Sequence, residues 1–224
     1  NSREVLDFNV YLSPKDIWTA AVTMDSTGGA MLTTSDTSCT VPAIPEAGVP
    51  FRNYAYIGTA PNSDNDPATD DISRTAEGYI EVIEMGNVLP VDIDPDAAVV
   101  DFVTAVTHTG TGVDRAPANC AAVSNAWSSV AGDGTDASFI TFNVGALAEL
   151  STPNGGIAGT ASIINVASGQ DFSFDPVVMD NWAPAASGDL LHAYPGNESP
   201  SLGNADVVSN VIVGGNVVLT NLWG

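Results

Sequence analysis

Ile157-Ala158-Gly159-Thr160-Ala161-Ser162-Ile163-Ile164-Asn165-Val166-Ala167 is followed by Ser168-Gly169-Gln170-Asp171 and then by Phe172-Ser173-Phe174. Two runs enriched in β-branched and aromatic residues flank a turn-forming tetrad, which predicts a β-hairpin. The same pattern recurs further on, where Val207 to Val213 and Val217 to Leu222 flank Gly214-Gly215-Asn216, a strong hairpin connection. Toward the N-terminus, Val5 to Leu12 reads as a strand ended by Ser13-Pro14. Ile17 to Thr23 is a second strand, closed by the turn Asp25-Ser26-Thr27-Gly28-Gly29, and Met31 to Thr34 a third. Residues 35–53 carry Pro42, Pro45 and Pro50 and read as loop, before a short strand from Tyr54 to Ile57. Gly78 to Met85 alternates, with Ile80 and Val82 on one side, as a half-solvated strand does. Val99 to Thr107 is apolar and β-rich, although Ala97-Ala98 at its start permits a helix, and Phe139 to Val144 is a further strand.

One stretch reads as helix. Pro117 suits a first turn, and Cys120, Val123 and Trp127 fall on one face before Gly132-Asp133-Gly134 stops the pattern. Many short strands with one short helix predict an all-β fold. The expected architecture is an antiparallel β-sandwich, jelly-roll-like or Ig-like, in a single β-rich domain over residues 1–224.

Composition narrows the function classes. The 224 residues include 5 Lys+Arg against 27 Asp+Glu, a formal charge of −22. A polyanion is repelled by such a chain and no basic patch can be assembled, so nucleic-acid binding is excluded. The apolar share of 44% is too high for intrinsic disorder. No run of 18 apolar residues is present, so no transmembrane helix is expected. Cys39 and Cys120 form no CxxC motif. In a Lys-poor, Asp-rich chain they suggest one disulfide, formed in an oxidising compartment. Strand-like segments at both extremities suggest a piece of a longer processed product.

Catalytic motifs are missing. There is no HExxH, GxSxG, P-loop or GxGxxG. His108 and His192 are the only histidines and read as surface or hydrogen-bonded residues. Nothing in the sequence points to a Ser-His-Asp triad. Glu77 and Glu81 could share a face as a glycosidase pair, although strand glutamates have that spacing often by chance.

The acidic loops are the stronger signal. Asp64, Asp66, Asp70 and Asp71 crowd one segment, and Asp92, Asp94 and Asp96 follow a D-x-D-x-D spacing. Calcium takes six to eight oxygen ligands, which such loops supply. The EF-hand pattern nevertheless fails: Ala97 stands where Gly is needed, Val103 where Glu is needed, and Pro95 interrupts the loop. The competing reading is an acidic surface that keeps the protein soluble. Asp133-Gly134-Thr135-Asp136 is a third candidate loop, and Asn197-Glu198-Ser199 the only glycosylation sequon. Trp18 and Trp127 lie in apolar segments and suit a core. Trp182 and Trp223 lie near loops or the terminus and are the candidates for contact with a partner such as a polysaccharide.

Several stretches together carry a resemblance. They are Val5 to Pro14 with Asp16-Ile17-Trp18-Thr19-Ala20, then Thr37-Ser38-Cys39-Thr40-Val41-Pro42, Arg74 to Gly86, Pro117-Ala118-Asn119-Cys120 and Gly159 to Val166. In this order the chain resembles a family of uncharacterised secreted or cell-surface proteins of Gram-negative, often aquatic, proteobacteria. The resemblance implies an extracellular or cell-surface location. It strengthens the Cys39–Cys120 pairing, since both cysteines fall in the shared stretches. It supplies no catalytic residues. The expectation is a non-enzymatic structural or surface protein that self-assembles into a filament or lattice through strand edges, with Ca2+ as its candidate ion. A carbohydrate-binding module or adhesin is the alternative, and a glycoside hydrolase a remote one.

Overall fold

The computed structural model describes residues 5, 6, 8–52, 72, 75, 78, 80, 82, 84, 86–93, 99–112, 115–126, 150, 151 and 157–176. Along the chain run β1 (Asn9–Tyr11), β2 (Ala21–Met24), β3 (Ala30–Thr33), β4 (Cys39–Val41), β5 (Val49–Pro50), β6 (Asn87–Val88), α1 (Phe102–Val106), β7 (His108–Thr109), β8 (Ala116–Pro117), α2 (Cys120–Ala126), β9 (Leu150–Ser151), β10 (Ala161–Asn165) and β11 (Gln170–Phe174). The pairings are β1–β4, β2–β3–β5, β6–β9, β7–β8 and β10–β11, each of them antiparallel. Small antiparallel sheets with few helices make the chain all-β in class. Each sheet among the described residues has two or three strands.

The core sits between the β1–β4 ribbon and the two helices. Tyr11, Cys39, Val41, Ile93, Phe102, Ala105, Val106, Ala122, Val123 and Ala126 form one buried cluster. In β1 the alternation works as expected, with Asn9 and Tyr11 buried and paired with Val41 and Cys39, whereas all three residues of β4 are buried. The Tyr11 and Phe102 rings meet edge to face with centroids 5.6 Å apart. The Cys39–Cys120 disulfide links β4 to the first turn of α2, as the sequence suggested.

Among the described residues two helices stand where one was expected. Asp101 caps α1 by accepting the Thr104 N–H at 2.7 Å, and Phe102, Ala105 and Val106 then fall at i, i+3 and i+4 on the buried face. The cap and this packing override the strand preference of the Val-rich segment. In α2 the cap is Asn119, whose Oδ1 accepts the Ala122 N–H at 3.0 Å. Pro117 is therefore no first-turn residue: it belongs to β8, paired with His108.

Other corrections concern boundaries. The segment 35–53, read as loop, holds β4 and β5. Ile17 and Trp18 precede β2 rather than belonging to it. Trp18 is half-buried and packs on Phe8 at 5.5 Å, outside the main core. Ile80 and Val82 lie in no strand and are 81% and 70% exposed. The turn at Asp25–Gly29 forms as expected: Asp25 Oδ1 accepts the N–H of Thr27, the N–H of Gly29 and the Thr27 hydroxyl at 2.7, 2.9 and 2.7 Å.

Candidate functional site

A cleft of about 330 Å³ opens where the chain leaves β1. Its described lining includes Ser13, Lys15, Asp16, Ser35, Asp36, Thr37, His108 and Arg115. Ser13-Pro14-Lys15-Asp16 is a tight turn closed by Asp16 N–H to Ser13 C=O at 3.0 Å. Pro14 at the second position and Lys15 with φ of 65° at the third define a type II turn.

His108 is the hub. Its Nδ1 is 3.0 Å from Asp16 Oδ2 and 2.8 Å from Ser13 Oγ. A carboxylate can only accept, so Nδ1 is the donor in this contact. Nε2 faces Thr37 Oγ1 at 3.3 Å, and that hydroxyl donates to the Arg115 carbonyl at 3.2 Å. Ser13 Oγ also accepts the backbone N–H of His108 at 2.9 Å. The imidazole is only 10% exposed and Asp16 22%. This network pins the turn after β1 to the start of β7, across 95 residues.

Ser13, His108 and Asp16 meet, yet not as a hydrolytic triad. In a triad the carboxylate holds one ring nitrogen and the hydroxyl uses the other. Here both converge on Nδ1, and Ser13 Oγ is further occupied by a backbone N–H. The hydroxyl across the ring belongs to Thr37 and lies at the long edge of hydrogen-bond reach. His108 thus matches the expected hydrogen-bonded histidine. Its partners in the Ser13–Asp16 turn were not foreseen; the available signal was Lys15, the chain's only lysine, placed where a type II turn favours Gly.

The calcium expectation is only partly placed. Asp92 is exposed, pairs across a β-bridge with Asp101, and accepts the Val100 N–H through Oδ1 at 3.0 Å. Among the described residues no group of three or more His, Cys, Asp or Glu is arranged to hold a metal. Asp64, Asp66, Asp70, Asp71, Asp94 and Asp96 lie outside the described residues. So do Trp127, Trp182, Trp223, Glu77, Glu81, His192, Asn197, the 133–136 loop and the expected strands at 54–57, 139–144 and 207–222.

The hairpin expected around Ser168–Asp171 is present, with Ile163 opposite Phe172 and Ala161 opposite Phe174. These four share one face, on which Phe172 and Phe174 stack at 6.0 Å. Ile163 is 64% exposed, Phe172 63% and Phe174 43%. The opposite face carries Ser162 and Ser173, hydrogen-bonded at 2.7 Å, with Ile164 and Asp171. Among the described helices none is long and apolar enough to cross a membrane.

No known protein family matches the chain. No curated protein matches it either, and no solved structure does.

Proposed function

We propose that the chain is a non-enzymatic, extracellular structural or cell-surface protein that associates with copies of itself through strand edges. One observation carries this reading: among the described residues β10 and β11 form a two-stranded ribbon with an exposed apolar face. A hairpin alone in water is marginal at best, and open edges pair with any strand offered. Burying Ile163, Phe172 and Phe174 stabilises an assembly by roughly 1.5–3 kcal/mol per side chain. The occupant we assign is the same hairpin of a second copy. That face is uncharged, since Asp171 points to the other side, and a chain of −22 approaches its own kind with least repulsion there. Across the whole chain the strands would complete the sandwich expected from the sequence. The oxidising location rests on the Cys39–Cys120 bond.

The test is sedimentation of the wild type and of Phe172→Glu across salt and calcium. Repulsion is screened as the Debye length falls from about 10 Å at 0.1 M salt to about 3 Å at 1 M. The wild type is expected to associate as salt or millimolar calcium rises, and the variant to stay monomeric. A wild type that stays monomeric throughout at high protein concentration overturns the proposal.

A further inference from the structure

We propose that the cleft at the Ser13–Asp16 turn binds a carboxylate carried on a hydroxylated frame, a sugar acid. The chain has only 5 basic side chains against 27 acidic ones. Two of the five, Lys15 and Arg115, line this one cleft. Both are exposed, and among the described residues the cleft's ion pair is His108–Asp16, which neither of them joins. With Lys15 and Arg115 offsetting Asp16 and Asp36 in the lining, the cleft is a locally neutral spot, carrying two cations, within a repelling surface.

The backbone adds a second argument. Lys15 holds a left-handed φ of 65°. That conformation costs a non-glycine residue roughly 1–2 kcal/mol, and Gly would fill the same turn position without it. Strain of this kind gathers at ligand sites, where the side chain is kept for what it meets. Arg115 is anchored to the same cluster through its carbonyl, which accepts the Thr37 hydroxyl.

The remaining lining selects among anions. The Asp16 oxygens are engaged with His108, Ser13 N–H and Ile17 N–H. Asp36 Oδ1 accepts from the Ser38 N–H and hydroxyl. These carboxylates do not quench Lys15 and Arg115 by contact, but their charge disfavours a dianion such as phosphate. A single carboxylate adds one negative charge to a lining whose two cations and two carboxylates balance, and can contact Lys15 and Arg115 directly. Ser35, Thr37 and the free lone pairs of Asp16 and Asp36 suit hydroxyl groups. A volume of about 330 Å³ admits one sugar ring. This inference is independent of self-association.

The experiment is calorimetric titration of the full chain with galacturonate, galactose, acetate and inorganic phosphate. Galacturonate is expected to bind at least about tenfold tighter than the other three, the scale of one charge-assisted hydrogen bond. Lys15→Met and Arg115→Gln are each expected to weaken it about tenfold. Lys15→Gly separates binding from folding: it is expected to lose the same affinity while unfolding at the same or a higher temperature. Binding of galactose as tight as galacturonate, tighter binding of phosphate, indifference to the three substitutions, or no binding of any probe overturns the assignment.

Discussion

Cys39 in β4 is bonded to Cys120 in the first turn of α2, 81 residues further along the chain. The bond crosses the core, because Cys39 is 1% exposed and pairs with Tyr11. In the chain-entropy picture a loop of this size is worth about 4–5 kcal/mol. Cys39→Ala with Cys120→Ala is expected to lower the unfolding free energy by about that amount. Urea titration of the double variant, compared with the oxidised wild type, measures it. Thiol titration of the native wild type is expected to find no free thiol.

Gly48 precedes β5 with φ of +86°, and a Cβ built there would stand 2.6 Å from Met31 Cε, 2.7 Å from Thr33 Cγ2 and 2.8 Å from the Leu32 carbonyl oxygen. The two side chains could give way; the carbonyl belongs to the β3 backbone and cannot do so cheaply. Gly48→Ala therefore combines left-handed strain with overpacking, and is expected to cost about 2–4 kcal/mol. Thermal unfolding reads it. Gly28→Ala is the control: its φ is +85° but nothing lies within 4 Å, so only the strain should appear.

Hydrogen bonds from Thr27 and the Gly29 and Gly28 N–H groups hold the Asp25 carboxyl below its ordinary value of 3.8. A lowered folded-state value means that the charged form is favoured by folding. The stabilisation is present above the ordinary value and is lost as pH falls through the lowered one. Carbon-detected NMR titration is expected to place Asp25 below 3.8, and Thr27→Ala, which removes the leading cause, to move it upward. An Asp25 titrating at or above 3.8 in the wild type contradicts this.

Phe102 is completely buried and packs on Tyr11. Phe102→Ala is expected to cost about 3–5 kcal/mol. Asp101→Ala removes only the cap of α1 and is expected to cost about 1 kcal/mol. Denaturant midpoints compared at equal slope give both values, and a cap variant as damaging as the core variant would refute this division of roles.

Local chemistry decided which elements could be read in advance. The β10–β11 hairpin was legible because β-branched and aromatic runs bracket a Gly-containing turn, and the Asp25–Gly29 turn because Asp and Gly are the residues it demands. Helix α1 was not, since Val99–Thr107 reads as strand until Ile93 and Tyr11 supply the surface that Phe102 packs against. Strand β4 hid among prolines because three buried residues carry no periodicity long enough to detect. The cleft was illegible for the same reason at longer range: Ser13 and His108 are 95 residues apart, and no local pattern announces their meeting.

The disulfide also alters what a protease can do to this chain. Residues 39 to 120 form a closed covalent ring. One cut at any peptide bond inside it opens the ring without separating the ends. The nicked molecule gains only the mass of one water and keeps β4 tethered to α2, so no covalent separation occurs until a reductant arrives. Cleavage within the ring is topologically silent, whereas cleavage outside it sheds a fragment.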